Sequence, residues 1–141
     1  MNITVYGKPL GQPRQRVAVR GGHGVNYLPG SHPIHGFKTS VKGEWMANGF
    51  GRLDGPVKCT ITAIFQRPAS KTRKRGDNPR LAHTSKPDCD NVAKSVLDAL
   101  NGVAFKDDSQ VVELTVRKFT GRPDELARVE VSIEQTEASE K

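Results

Sequence analysis

Apolar residues alternate with polar ones in four stretches of the chain, and this two-residue period is typical of strands with one buried face. The clearest stretch runs from Val57 to Phe65, in which every second residue is apolar. Each of the other three contains fewer apolar residues but shows the same period. They lie at residues 2–6, 110–118 and 129–133. The pattern therefore predicts about four strands, the first of them at the start of the chain.

Two further stretches repeat their apolar residues at the spacing of an amphipathic helix. The first, residues 37–48, carries an apolar residue at every fourth position from Phe37 to Trp45. The second, residues 91–101, has the same spacing, with Asp90 at the predicted N-cap and Asn101-Gly102 as its stop. The chain is therefore predicted to contain two main helices.

The segments between these elements are rich in glycine and proline, which favour turns. Residues 7–36 are predicted to form a long loop or a loose hairpin, and residues 67–86 a mobile basic loop. Residues 135–141 are predicted to be a frayed tail. The order of elements predicts one small domain over residues 1–141, with an α/β or α+β fold. Its single mixed sheet of about four strands would pack against the two helices, and 141 residues suit one core.

Charge is distributed unevenly along the sequence. Residues 1–86 carry 15 Lys and Arg and three acidic residues, which gives a net charge of +12. Residues 87–141 carry seven Lys and Arg and twelve acidic residues, which gives a net charge of −5. A basic half attracts a polyanion such as DNA, and clustered carboxylates in the other half can hold a divalent cation against it. A solvated basic surface explains the same imbalance, so charge alone leaves both interpretations open.

Composition also bears on compartment and redox chemistry. No apolar run approaches the ~18 residues that a membrane span needs, and the first residues indicate a strand rather than a signal peptide. We therefore expect a cytoplasmic protein. Cys59 and Cys89 form no C-x-x-C pair and are predicted to be small apolar fillers.

Acidic residues cluster around the start of the second predicted helix. Asp88 and Asp90 are two residues apart in a segment predicted to be extended, so their side chains would share one side. Lys94 follows Asp90 by one helical turn and can reach the same patch. The loop after the helix can return Asp107 and Asp108 toward them. A divalent cation relieves the repulsion among such carboxylates, and Mg²⁺ prefers hard oxygen ligands.

This cluster would suit the hydrolysis of a phosphodiester, because a bound Mg²⁺ activates water and polarises phosphorus and Lys94 can stabilise the developing charge. Each part also has a simpler interpretation. An aspartate before a helix is commonly a cap, Lys94 and Asp98 have the spacing of a surface ion pair, and Asp107-Asp108 suit a turn. The residues alone leave the metal site and these structural roles both open.

Three segments between residues 86 and 112 together resemble the signature of the RusA family of Holliday-junction resolvases. They are Lys86-Pro87-Asp88-Cys89-Asp90-Asn91-Val92-Ala93-Lys94, Asp98-Ala99-Leu100-Asn101-Gly102 and Lys106-Asp107-Asp108-Ser109-Gln110-Val111-Val112. A looser resemblance extends to Gly7-Lys8-Pro9 and Arg14-Gln15-Arg16. Several residue types at fixed spacing make the signal specific. Cys89 departs from the family pattern, in which an apolar residue such as leucine is more usual.

The resemblance implies a small homodimer that binds four-way DNA junctions and makes paired symmetric nicks, leaving 5′-phosphate and 3′-hydroxyl ends. It implies Mg²⁺ as the cofactor, for which Mn²⁺ can substitute, and no membrane or small-molecule cofactor. It assigns the family's essential aspartates to Asp88, Asp90 and Asp108 and its essential lysine to Lys94. Such genes often lie in bacteriophages and prophages, and the activity serves DNA recombination and repair.

Basic residues in the two predicted loops are candidates for contacts with DNA phosphates. They are Arg14 and Arg16 in the first loop, and Lys71, Arg73, Lys74, Arg75 and Lys86 in the second. Asp107 and Asn91 are candidate secondary residues of the active site.

Three other functions fit part of the pattern. The D-x-D motif also occurs in nucleotide-sugar glycosyltransferases, but those enzymes need a larger nucleotide-binding domain, for which 141 residues leave little room. A non-catalytic DNA-binding protein has no reason to place acidic residues beside a basic surface, since they repel phosphate. A metal-dependent nuclease with relaxed structure preference stays open.

Overall fold

A computed structural model describes residues 1–13 and 15–137 of the chain. These residues form a five-stranded mixed sheet, a separate two-stranded hairpin and two helices. The strands are β1 (Asn2–Tyr6), β2 (Arg16–Arg20), β3 (His23–Tyr27), β4 (Val57–Phe65), β5 (Leu81–Ala82), β6 (Val111–Thr120) and β7 (Arg128–Gln135), and the helices are α1 (Pro33–Ala47) and α2 (Cys89–Leu100). The structure confirms the predicted small α+β domain.

The large sheet has the strand order β1-β7-β4-β6-β5. β4 lies at its centre, antiparallel to β7 and parallel to β6. β1 pairs antiparallel with β7, and the two-residue β5 pairs with the end of β6. Alternate residues of β4 from Val57 to Phe65 are buried, as the two-residue period of the sequence predicts.

Both helices pack on one face of this sheet and close the core. Val41 and Trp45 of α1 and Val92, Val96 and Leu100 of α2 are all buried, and each such apolar side chain contributes about 1.5–3 kcal/mol on burial. α1 contacts α2 and β1, and α2 contacts β6. This packing fixes the start of α2, where the acidic residues lie. Neither helix in the described ranges has the length and apolar character that crossing a bilayer requires.

The helix boundaries differ from those that the sequence predicts. α1 begins at Pro33 rather than residue 37, because the His32 imidazole accepts a hydrogen bond from the Ile34 amide at 3.0 Å and proline fits the first helical position. α2 begins at Cys89 rather than residue 91, with Asp88 as its N-cap. Its amphipathic spacing starts only at Val92, so that spacing could not locate the first turn.

Residues 7–36, predicted as a long loop or a loose hairpin, contain the hairpin β2–β3. Arg20 pairs with His23, so the connection is the two residues Gly21 and Gly22. Both have a positive φ, of 57° and 81°. A two-residue hairpin turn favours such angles, and glycine adopts them without strain.

The basic segment of residues 67–82 is tied to itself and to the rest of the fold. Arg67, which lies in the segment predicted to be a mobile basic loop, is only 7% exposed, and its guanidinium donates to the Pro79 carbonyl. The Arg73 amide donates to the Asn78 side chain at 2.8 Å. The segment therefore has local order that the sequence does not indicate, including the unpredicted strand β5.

Glu125 joins this basic segment to the turn between β6 and β7. Its carboxylate accepts hydrogen bonds from Arg80 at 2.8 and 2.5 Å, from Arg128 at 2.9 Å and from the Arg122 amide at 2.8 Å. The Arg80 hydrogen bond is the main cause that holds the pKa of Glu125 well below its usual range, against the opposing effect of desolvation. The charged form is therefore the one that the fold stabilises.

We expect Glu125→Gln to lower the free energy of unfolding at pH 7 by about 2 kcal/mol, because hydrogen bonds to charged groups contribute ~1.5–3 kcal/mol. A lowered folded-state pKa gives stability that is present above the unfolded-state value of ~4.3 and is lost as the pH falls toward the folded-state value. The difference between wild type and variant should therefore shrink below about pH 4. Urea unfolding of both proteins at pH 7 and pH 3 measures this difference in the free energy of unfolding.

Asp77→Asn is the control for this prediction, because Asp77 forms only an exposed 3.9 Å ion pair with Arg122. It should change stability by less than about 1 kcal/mol. A Glu125→Gln difference of the same size at both pH values would contradict an electrostatic origin.

Candidate active site

The start of α2 carries three of the four predicted catalytic residues. Asp88 is the N-cap residue with an extended backbone, Asp90 lies in the first turn, and Lys94 follows one turn later. All three side chains are exposed. Within the described residues the Asp88 carboxylate makes no capping hydrogen bond. The positive end of the helix dipole favours anionic groups at this position.

The prediction that the segment through Asp88 and Asp90 is extended is wrong, because Cys89 and Asp90 are helical. The Val92 amide donates to the Asp88 carbonyl at 3.0 Å and closes the first turn. Helix geometry, rather than strand alternation, therefore sets the relative directions of the two carboxylates. The structure nevertheless keeps both at the same exposed end of α2.

The two cysteines differ from each other. Cys59 is buried in β4, and burial raises its pKa to about 12, which agrees with the predicted filler role. Cys89 is exposed, with its Sγ 4.0 Å from the Val116 carbonyl oxygen. The filler prediction is therefore wrong for Cys89, because the earlier helix start leaves it in an exposed first turn beside β6.

Residues 8–12, which we call the strap, lie along the start of α2. The Gln12 amide donates to the Asn91 carbonyl at 3.1 Å, and the buried Ser95 hydroxyl donates to the Leu10 carbonyl at 2.7 Å. Gly11 lies so close that an added Cβ would be 2.8 Å from the Pro87 Cβ and 3.0 Å from the Asn91 Cβ. Only glycine fits there unless the strap moves. No pattern in the sequence singled out Gly11 or Ser95.

Two open cavities flank the strap. One, of about 340 Å³, lies between the strap and the segment that leads into α2, and Lys86, Asp88 and Asn91 line it. The other, of about 520 Å³, lies between α2 and the hairpin, and its lining includes Asn91 and Lys94. Asn91 belongs to both cavities, so together they border one polar surface beside Asp88. Amide and ammonium groups on such a surface can donate hydrogen bonds to phosphate oxygens.

A second turn carries Asp107 and Asp108, just before β6. The Gln110 side chain organises it: Oε1 accepts from the amides of Lys106 and Asp107 at 2.8 and 3.1 Å, and Nε2 donates to the carbonyls of Leu53 and Gly55 at 3.1 and 2.9 Å. This turn lies beside α2. The sequence showed no sign of the role of Gln110.

Asp107 and Asp108 differ in their environment. Ser109 donates to Asp107 Oδ2 at 2.5 Å, and this hydrogen bond is the main cause that lowers the pKa of Asp107. The contact favours a turn role for Asp107. Asp108 is half-buried and begins the short 3-10 turn Asp108–Gln110.

The predicted metal ligands lie on two neighbouring elements, Asp88 and Asp90 on α2 and Asp108 on the adjoining turn. Among residues 1–13 and 15–137, no three His, Cys, Asp or Glu side chains are grouped closely enough to hold a metal ion. The joint metal site of Asp88, Asp90 and Asp108 therefore stays a prediction. Lys94 and Asp98 also make no ion pair with each other, since Asp98 instead lies 3.7 Å from the ammonium of Lys38 on α1.

The sequence matches the family model described as Endodeoxyribonuclease RusA over residues 6–134. The chain belongs to the RusA family. The match runs from the last residue of β1 into β7, so it covers both helices and most of the sheet rather than one motif. The predicted membership is confirmed, and this RusA-family protein is an endodeoxyribonuclease. It is also similar to an uncharacterized protein, YqaN of Bacillus subtilis (strain 168), with 35% identity over 144 residues and 98% of each chain covered.

The RusA-family chain presents most of its predicted DNA-binding residues to solvent. Lys71, Arg73, Lys74, Arg75 and Lys86 are all exposed. Arg14 and the side chain of Arg16 lie outside the described residues. The structure adds Lys118 of β6, whose ammonium donates to the carbonyls of Ser85 and Pro87 at 2.7 Å each. Lys118 thereby holds the segment that leads into Asp88, a positioning role that no local motif indicates.

Proposed function

We propose that this RusA-family protein is a Mg²⁺-dependent endonuclease that resolves four-way DNA junctions by paired symmetric nicks. Each nick breaks a P–O3′ bond and leaves a 5′-phosphate and a 3′-hydroxyl. The observation that carries the proposal is the exposed pair Asp88 and Asp90 at the start of α2, one turn before Lys94 and beside a polar surface. The family match over residues 6–134 supports the nuclease chemistry.

The available donor groups fit a hard divalent cation. Asp88, Asp90 and Asp108 offer carboxylate oxygens, which Mg²⁺ prefers, and Mn²⁺ accepts the same ligand type. Asp88 and Asp90 are exposed, so their carboxylates are accessible to an ion from solvent. These three residues would hold the ion, which when bound supplies an activated water and charge neutralisation at phosphorus.

The remaining site residues position the substrate. Lys94 and Asn91 line one cavity, so their ammonium and amide groups can contact neighbouring phosphate oxygens. Lys94 is the group suited to stabilise the extra negative charge of the transition state. Asp107 keeps its carboxylate in the turn through Ser109 and would support Asp108 rather than bind the ion directly.

A homodimer fits this reaction, because a four-way junction presents two related strands and one acidic set per chain supplies one nick. Two chains related by a two-fold axis supply both, and cyclic dimers are the commonest oligomers. The proposed location is the cytoplasm, where the DNA of bacteria and their phages lies. Sedimentation should give a mass near twice 15.4 kDa.

Cleavage of a synthetic four-way junction and of a linear duplex with the same sequence tests the proposed function. With Mg²⁺ the junction should be cut in two related strands while the duplex stays intact, and without the metal neither should be cut. Equal cleavage of both substrates would favour a nuclease of relaxed preference. Tight junction binding with no cleavage under any divalent metal would favour a non-catalytic DNA-binding protein.

We expect the exposed basic residues of the loop to contribute to binding through phosphate contacts. Replacing Lys71, Arg73, Lys74 and Arg75 with alanine should weaken binding to junction and duplex alike. Each lost contact should reduce the slope of log K against log salt by about 0.9. Fluorescence titrations between ~50 and ~200 mM salt, the range over which such contacts change affinity by ~10³–10⁵-fold, measure the slope.

Lys42→Ala is the control, because Lys42 is an exposed lysine of α1 outside both predicted DNA-binding loops. It should leave the slope unchanged. If the four-residue variant also kept the wild-type slope, the loop would be a solvated surface and the DNA path would run elsewhere.

A further inference from the structure

The hairpin β2–β3 carries exposed apolar side chains away from the core. In the described part of the chain these two strands pair only with each other, and every residue of β3 is exposed. Val17 and Val19 are 68% and 77% exposed, the highest values among the large apolar residues that the structure describes. Neither valine contributes to the core, so the packing of the fold does not explain why these two exposed positions are apolar.

The register of the hairpin places both valines on one face. Val17 lies opposite Asn26, and Val19 lies opposite Gly24, which has no side chain to cover its neighbour. Opposed residues of an antiparallel pair project to the same side. Asn26 lines the cavity that Lys94 also lines. The valine face is therefore directed to the same side as the candidate active site.

The strap connects this hairpin to α2. It precedes β2 by three residues and is held by the backbone bond from Gln12 to Asn91 and by the Ser95 hydroxyl. The hairpin thus projects from a fixed point beside Asp88 and Asn91. A partner that contacts the valines would therefore approach the molecule from the side on which Asn26, Asn91 and Lys94 line one cavity.

The charge around the hairpin selects the kind of partner. Residues 7–32, which are the hairpin and the segments on either side of it, contain four Lys and Arg and no acidic residue, although Asp98 of α2 lines the cavity beside Asn26. A second copy of this hairpin would bring like charges together. A nucleic acid offers an anionic backbone for the cationic surroundings and apolar base faces for the two valines.

We propose that the hairpin places Val17 and Val19 against unstacked bases at the branch point of the junction, and so favours branched DNA over continuous duplex. This inference rests on the proposed function. Inserted apolar side chains unstack base steps in other DNA-binding proteins, and the stack is already interrupted at a branch point. The hairpin would therefore recognise shape, while the carboxylates at the start of α2 carry out the chemistry.

The test uses junctions with 2-aminopurine beside the branch point and protein in EDTA, so that binding proceeds without cleavage. Wild type should raise the fluorescence severalfold at saturation, and Val17→Ser with Val19→Ser should remove at least about four-fifths of that rise. Val25→Ser is the matched control, because Val25 is exposed on the other face, opposite Ala18. It should behave like wild type.

Cleavage and assembly measurements complete the test. With Mg²⁺, the double serine variant should lose about tenfold in its preference for junction over duplex. Val17→Thr with Val19→Thr keeps the β-branched shape that favours strands, so the same losses in that variant cannot come from an unformed hairpin. Full fluorescence and unchanged preference in both double variants would overturn the proposal.

Sedimentation and wild-type cleavage give two further decisive outcomes. If the double variants became monomers while wild type sedimented as a dimer, the valines would form a contact between copies and the proposal would be wrong. If wild type failed to cut the junction with Mg²⁺, the proposed function would fall. The fluorescence in EDTA would then still decide whether the hairpin contacts unstacked bases.

Discussion

Asp90→Asn is expected to reduce junction cleavage by on the order of 10³-fold or more and to leave junction binding intact or tighter. The amide removes the negative charge that a divalent cation needs, and it also removes repulsion between the carboxylate and phosphate. Asp88→Asn and Asp108→Asn should have the same pair of effects. Single-turnover cleavage with Mg²⁺ and titrations in EDTA measure rate and affinity separately.

Asp124→Asn is the matched control, because it removes the same charge from an exposed residue in the turn between β6 and β7. It should change neither cleavage nor binding. A near-wild-type rate in any one of the three active-site variants would remove that residue from the proposed site. Loss of binding together with cleavage would indicate a structural role instead.

Lys94→Ala should reduce turnover by about 10²-fold while weakening DNA binding by less than about threefold. One lysine is a small share of the phosphate contacts, but it can be a large share of transition-state stabilisation. Lys106→Ala, which removes another exposed lysine near the site, should leave turnover at saturation unchanged.

The outcome is read from turnover and affinity separately. Weaker binding with unchanged turnover for Lys94→Ala would make it a plain phosphate contact. Lys94→Arg keeps the charge and should restore binding fully and turnover in part.

The sheet was the most predictable part of the fold. β4 and β7 follow the two-residue period because one face of each is buried by the helices and the other is polar. β5 could not be predicted, since two residues carry no period. The start of α1 was misplaced because the His32 cap sets it, and the start of α2 was misplaced because its first turn precedes Val92, the first residue of its apolar spacing.

The candidate site was predictable only where its residues are close in sequence. The D-x-D spacing pointed to Asp88 and Asp90, but the contacts that position them span long sequence distances. The Ser95 hydroxyl donates to the carbonyl of a strap residue that is 85 residues away in the sequence. The Lys118 ammonium donates to the Pro87 carbonyl, 31 residues away in the sequence. A single sequence has no pattern that reports such pairs.

The basic loop shows the same limit for charge. Its seven Lys and Arg residues look equivalent in the sequence, yet Arg67 is buried against Pro79 and Arg80 is paired with Glu125, 45 residues away. These two guanidinium groups already donate hydrogen bonds within the fold. They are therefore poorer candidates for contacts with DNA phosphates than the exposed basic residues of the loop. Lys71, Arg73, Lys74 and Arg75 stay exposed.

The close contact at Gly11 has a mechanical consequence. The backbone there rests on Pro87 and Asn91; on one side the Leu10 carbonyl accepts from the Ser95 hydroxyl, and on the other the Gln12 amide donates to the Asn91 carbonyl. The strap and the first turn of α2 are therefore packed together at Gly11 without room for a side chain between them. A movement of the strap toward α2 would have to displace Pro87 or Asn91, the two residues that flank the segment Asp88–Asp90 in the sequence.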